Sequence, residues 1–176
     1  MSLRPLRLFL VGFVFPLIPP TRMFGLKRSL LRWCGAELGV NVRISSSARF
    51  QTNGPLRIGA ETWIGHQVLI TGGTAPIEIG QWVDIAPRVL IVSGSHHPTP
   101  GAEKAAGAGV SVPVRIHDGA WIGAGATILG GAEIGASSVV AAGALVRGVL
   151  AGGGVYGGIP ARALRDSEKG GTEQCE

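Results

Sequence analysis

The chain has 176 residues, of which 45% are hydrophobic, 6% aromatic and 15% charged, with 29 glycines, 11 prolines and a formal net charge of +5. That length suits one compact domain with an extension. The hydrophobic share argues against a disordered chain, and glycine does not recur at every third position, which excludes collagen. Only Cys34 and Cys175 are present, which excludes a disulfide scaffold or a cysteine metal cluster and suits a reducing, cytoplasmic compartment.

The N-terminal arm comes first in chain order. Arg4, Arg7, Arg22, Lys27, Arg28, Arg32 and Arg43 face Glu37 alone in residues 1–43, a balance of +6 that leaves −1 for the rest. The basic part is also apolar, which argues against a nucleic-acid surface. The run LRLFLVGFVFPLI is too short for the ~20 residues that span a bilayer. No A-x-A-like site follows it, so it does not read as a signal peptide. In the next segment, TRMFGLKRSLLRW, Met23, Leu26, Leu30 and Leu31 fall near helical spacing with Lys27, Arg28 and Arg32 elsewhere, and Gly35 ends the helix. Residues 1–39 therefore form a helical extension. Two uses of it are open: packing on a neighbouring body or subunit, or resting on an anionic membrane through residues 1–34.

Beyond the arm a period of six takes over. Ile58, Ile64 and Ile70 are followed by Ile79, Ile85 and Ile91, then by Ile116, Ile122, Ile128, Ile134, Val140 and Val146. Four residues after most of them comes a small or β-branched residue, such as Thr62, Val68, Ala120 or Ala126. Neither the 3.6-residue period of a helix nor the alternation of a sandwich strand fits. A hexad repeat reads as a parallel β-helix, three hexads to a coil, with like residues stacked over like. The predicted β-helix covers residues 40–165, with weaker hexads at Val40, Ile44 and Phe50. A three-residue insertion around residues 72–76 must bulge from one turn. The period fails across residues 93–112 (SGSHHPTPGAEKAAGAGVSV), an excursion of the kind that carries function. The tail 166–176 reads as disordered.

The hexad array, the SGSHHP segment, the run VPVRIHDGAWIGAGATILGGAEIGASSVVAAGALV and the closing VYGGIPARAL together resemble the hexapeptide-repeat acyltransferases. The likeness is nearest to the maltose and galactoside acetyltransferase branch and to sugar acetyltransferases of polysaccharide biosynthesis. The resemblance implies an all-β, left-handed parallel β-helix working as a homotrimer with sites between subunits. The hand comes from the resemblance alone, since crossover rules favour the other one. It also implies acetyl-CoA as donor, a sugar or nucleotide-sugar hydroxyl or amine as acceptor, no metal, and His96 as the catalytic base. An imidazole near ~6.5 can take a proton from an attacking nucleophile at neutral pH.

His66 stands where that branch often has Asn at the acceptor, and is otherwise an exposed turn residue. Asp84 orients His96, binds the acceptor or is a solvated charge. Ala86, Gly123, Ala124, Ala142 and Gly143 match positions along the pantetheine arm of CoA, although every coil needs small residues. Arg147, Arg162 and Arg165 are candidate cations for its phosphates. Trp121 is expected at the subunit interface, and with Trp63 and Trp82 it makes too apolar a surface for a lone prism. Two other classes compete: a zinc hydratase of the γ-carbonic anhydrase type, although no H-x4-H pair of ligands is present, and a non-catalytic scaffold held at a membrane.

Overall fold

The computed structural model describes residues 3–165. The predicted tail, residues 166–176, lies outside them. Two helices open the chain, α1 (Pro5–Val14) and α2 (Phe24–Trp33), joined through a 3-10 turn at Phe15–Leu17. Helix α2 ends in a Schellman motif, with the Gly35 amide donating to the Arg32 carbonyl, the Ala36 amide donating to the Leu31 carbonyl, and Gly35 at φ 102°.

The rest is the expected parallel β-helix, of about six coils. Its short strands stack into three sheets, here faces I, II and III, of six, seven and five strands. Face I stacks Leu38, Ile58, Ile79, Ile116, Ile134 and Leu150 in one column. Face II stacks Ile44, Ile64, Ile85, Ile122, Val140 and Tyr156. Face III stacks Phe50, Ile70, Ile91, Ile128 and Val146. With the smaller Val42, Val68, Val83, Val89, Ala120, Ala126 and Ala144 these columns fill the prism and are buried.

One slot differs from the expectation. Leu38, not Val40, occupies the first column, and Val40 is 66% exposed. The first coil is 20 residues long because its last turn carries two more than a regular hexad, so counting back by eighteen from Ile58 stops two residues short.

Each end of a solenoid leaves a row of backbone groups without a neighbouring coil. At the N-terminal end the arm covers them. Lys27, expected on the polar side of α2, is fully buried. Its Nζ donates to the carbonyls of Pro19 (3.1 Å), Pro20 (2.8 Å) and Ile44 (3.0 Å). Arg28 donates to the Val42 carbonyl, and Arg32 to those of Leu38 and Gly39. The arm is basic because cations are strong donors for orphaned carbonyls. Burial pulls the Lys27 ammonium below the usual lysine range. At the far end the strand Ala161–Arg165 folds back antiparallel on Val155–Gly158 and closes face II.

Candidate active site

The turns between faces form three edges. Edge I–II and edge II–III are regular, and their tips repeatedly take a left-handed residue: Asn41, Glu61, Trp82 and Gly119 on the first, Gln67, Arg88, Gly125 and Gly143 on the second. Edge III–I is where the chain departs. From Ser93 it leaves the coil as a β-hairpin, Gly94–Pro98 paired antiparallel with Ala106–Ser111. The base of the hairpin is fixed from several sides. The Val112 amide donates to the Ser93 carbonyl at 2.8 Å, the Ser93 amide to that of Thr71, and the Ser111 hydroxyl accepts from the Ala75 amide at 2.9 Å. The insertion expected around residues 72–76 thus becomes a wall beside the hairpin. Between wall and hairpin lies an open groove of about 440 Å³ lined by Gly73, Thr74, Gly94, Ser95, His96 and Ser111, among others.

His96 lines this groove, and its Nδ1 is 2.9 Å from the Gly107 carbonyl across the hairpin. A carbonyl can only accept, so the neutral ring carries its proton on Nδ1 and Nε2 keeps its lone pair. His97 follows it on the same strand, at the irregularity in the hairpin register between His96 and Pro98, and does not line the groove.

The other predicted residues distribute over the prism. His66 and all five small candidates, Ala86, Gly123, Ala124, Ala142 and Gly143, fall on edge II–III, in successive coils. Their smallness has two different causes. A Cβ on Gly123 would stand 2.5 Å from the Ala142 amide nitrogen, so that glycine lets coils stack, whereas Gly125 and Gly143 adopt positive φ beside open space. The edge therefore presents nothing larger than a methyl group in the coils of Ala124 and Ala142. His66 Nδ1 shares a 2.6 Å hydrogen bond with the Ser47 hydroxyl, which accepts from the Gln67 amide and lies 3.1 Å from the Ser45 hydroxyl.

Asp84 sits on face II between Trp63 and Trp121, across the prism from edge III–I, and it is the Gly107 carbonyl that orients His96. Arg147 follows the last strand of face III and so shares edge III–I with the hairpin. Arg162 and Arg165 belong to the closing strand, and Arg162 turns back to its neighbour's carbonyl at Ala161. The motif reading passes over Arg88. It occupies the same tip position as Gly125 and Gly143, and its Nε donates to the Gln67 side chain at 3.1 Å. Its register, three residues after a column isoleucine, is the signal that finds it. His117 pairs with Glu133 at 3.0 Å on edge I–II. The four histidines thus lie on three different edges, and among the described residues no three of His, Cys, Asp and Glu come together as metal ligands.

A family model described as bacterial transferase hexapeptide (six repeats) matches residues 113–148, the most regular coils. Residues 113–148 carry the bacterial transferase hexapeptide repeat. The resemblance read from the motifs is borne out by the proteins to which this chain is similar. A putative acetyltransferase from Dictyostelium discoideum is 43% identical over 91 residues, which are 52% of this chain and 47% of that protein. The chain thus spans about half the length of that curated relative. The crystal structure of a hexapeptide-repeat-containing acetyltransferase from Vibrio cholerae superposes with a TM-score of 0.75 at 28% identity, covering 93% of this chain and 92% of that one. The same protein has a structure complexed with acetyl coenzyme A. Galactoside acetyltransferase in complex with coenzyme A shares the fold at a TM-score of 0.73 and 22% identity, over 93% of this chain and 80% of that one. The fold shared with these structures is a parallel β-solenoid, consistent with the left-handed β-helix that the resemblance implies.

Proposed function

We propose that the chain is an acetyl-CoA-dependent acyltransferase that moves an acetyl group to a hydroxyl or amine of a sugar or nucleotide-sugar. The observation that carries this reading is the His96–Gly107 hydrogen bond, which leaves Nε2 as a base at the mouth of a groove. His96 Nε2 takes the proton from the acceptor O–H or N–H as that atom attacks, and later releases it to the departing sulfur. Acetyl-CoA supplies the acetyl group as a thioester. Residues that fit it lie on edge II–III, where the turns at Ala124 and Ala142 are small and open, with Arg88 on the same edge and Arg147 and Arg162 as further cations. The relative crystallised with acetyl coenzyme A supports the choice of donor.

The donor edge and the base edge are different edges of one prism. A second copy that sets its edge III–I against edge II–III of the first would unite them, which supports a homotrimer with sites between subunits. Exposed Trp121 on face II and Trp82, 64% exposed at a left-handed turn tip, give such an assembly apolar surface to cover. A thioester donor and the scarcity of cysteine are in keeping with the cytoplasm. The acceptor class rests on the motif resemblance, with His66 and Asp84 as its binding residues.

The test is a thiol-release assay with acetyl-CoA over a panel of sugars, amino sugars and nucleotide-sugars, with light scattering for the assembly. Expected are release with at least one acceptor, a trimer mass, and stabilisation by about 2.7 kcal/mol at ~100 times the dissociation constant of acetyl-CoA. The absence of both stabilisation and release, or a stable monomer, would overturn the reading.

A further inference from the structure

Apart from Arg7, whose guanidinium donates to the Trp33 carbonyl, helix α1 is apolar all round. Leu8, Val11 and Phe15 point inward and are buried against the first coil. The opposite stripe is open, with Leu6 72%, Phe9 62%, Phe13 63% and Leu17 84% exposed and Leu10 and Val14 between them. An all-apolar helix belongs in a core or against lipid. Together the stripe leaves on the order of 600 Å² of apolar surface open, at the top of what a monomer's largest patch shows. Phe9 and Phe13 pack edge to face within it, at 4.9 Å between ring centres. The surface continues into a groove of about 420 Å³ between α1 and the first coil, lined by Leu8, Phe13 and Phe50 and ending at polar Arg49, Gln51 and Asn53.

We infer that this stripe inserts into the interfacial layer of a lipid bilayer and seats the chain there by apolar contact rather than by charge. Two observations select lipid over protein. The stripe has no side-chain donor or acceptor, whereas protein interfaces carry about one hydrogen bond per 100–200 Å². Its flanks are cationic and no acid precedes Glu37, the arrangement that matches headgroup phosphates. Arg4 precedes the stripe and Arg22 follows it, both exposed, and Arg7 stacks over half-exposed Trp33 at 4.6 Å beside the helix start. Most of the other cations of the arm are engaged elsewhere, since Lys27, Arg28 and Arg32 hold carbonyls of the first coil or its approach. The basic charge of the arm therefore overstates what remains for anionic lipid.

The experiment is flotation of the full chain with phosphatidylcholine vesicles and with vesicles containing a third phosphatidylserine, at low salt and in 0.5 M sodium chloride. Binding to neutral vesicles is expected, strengthened only a fewfold by the anionic lipid and retained in salt. The double variant Phe9→Ser, Phe13→Ser should lose at least tenfold in partitioning while keeping its melting temperature and its mass by light scattering. As a second measurement, Phe13→Trp should gain fluorescence quenched by brominated lipid. No binding to either vesicle, binding abolished by salt, added fluorescence in Phe13→Trp that brominated lipid leaves unquenched, or a changed assembly mass in the double variant would overturn the proposal. The last outcome would assign the stripe to a protein interface.

Discussion

Edges II–III and III–I both border face III, and the chain treats them differently. From face II to face III the step between column residues is always six: Ile44 to Phe50, Ile64 to Ile70, Ile85 to Ile91, Ile122 to Ile128 and Val140 to Val146. From face III to face I it is eight, nine, 25, six and four: Phe50 to Ile58, Ile70 to Ile79, Ile91 to Ile116, Ile128 to Ile134 and Val146 to Leu150. Every insertion falls on one edge, and the His96 hairpin is the largest of them. A regular edge stacks coil on coil and offers a uniform surface, whereas an irregular one can lift a side chain clear of the prism. In the proposed enzyme the first holds the donor and the second supplies the base.

The sharpest way to break that contrast is at the hairpin. His96→Ala should lower the rate by ~10²–10⁴, the worth of positioned proton transfer, or about 3–5 kcal/mol in the barrier. Acetyl-CoA affinity, measured by thermal shift, should hardly move. His97→Ala, outside the groove lining, should keep most of its turnover. Equal losses in the two variants would detach the chemistry from the groove.

On the regular edge a bulky residue should act differently. Ala142→Phe should raise KM for acetyl-CoA ~10-fold or more with kcat nearly unchanged, the signature of lost uniform binding. A fall in kcat at constant KM would show that the edge does not hold the donor.

A smaller effect is expected from Gly72, in the wall beside the hairpin. A Cβ there would collide with the Ser93 hydroxyl, which is buried and, among the described residues, has no hydrogen-bond partner. Gly72→Ala should cost ~1–3 kcal/mol as overpacking, lowering Tm by ~2–4 °C for each kcal/mol. Turnover should fall a fewfold as the hairpin base shifts. An unchanged Tm would show that the wall yields freely.

The columns were legible from Ile58 to Val146 because a filled prism demands one aliphatic residue per face at a fixed interval. Legibility stopped at Val40 for a physical reason: the first coil's extra residues lie in a turn, where no buried column enforces a count. His96 was legible through its motif and its place in the break, but its partner Gly107 was not, since a backbone carbonyl leaves no mark in side-chain pattern. Lys27 misled for the opposite reason. Helical spacing sets it apart from the leucines, and only the open end of the coil explains why a cation belongs inside.

That buried lysine has a chemical consequence for the proposed use of a thioester donor. Free amines react with such donors, and the chain has three lysines: Lys27, Lys104 and Lys169. A lowered ammonium pKa would make Lys27 the better nucleophile, but its nitrogen is sealed among three carbonyls. Guanidinium groups, which do the remaining carbonyl capping, do not acylate under these conditions. With such a donor the cap on the first coil would be inert to self-acylation, and exposed Lys104 in the hairpin turn would be the accessible amine.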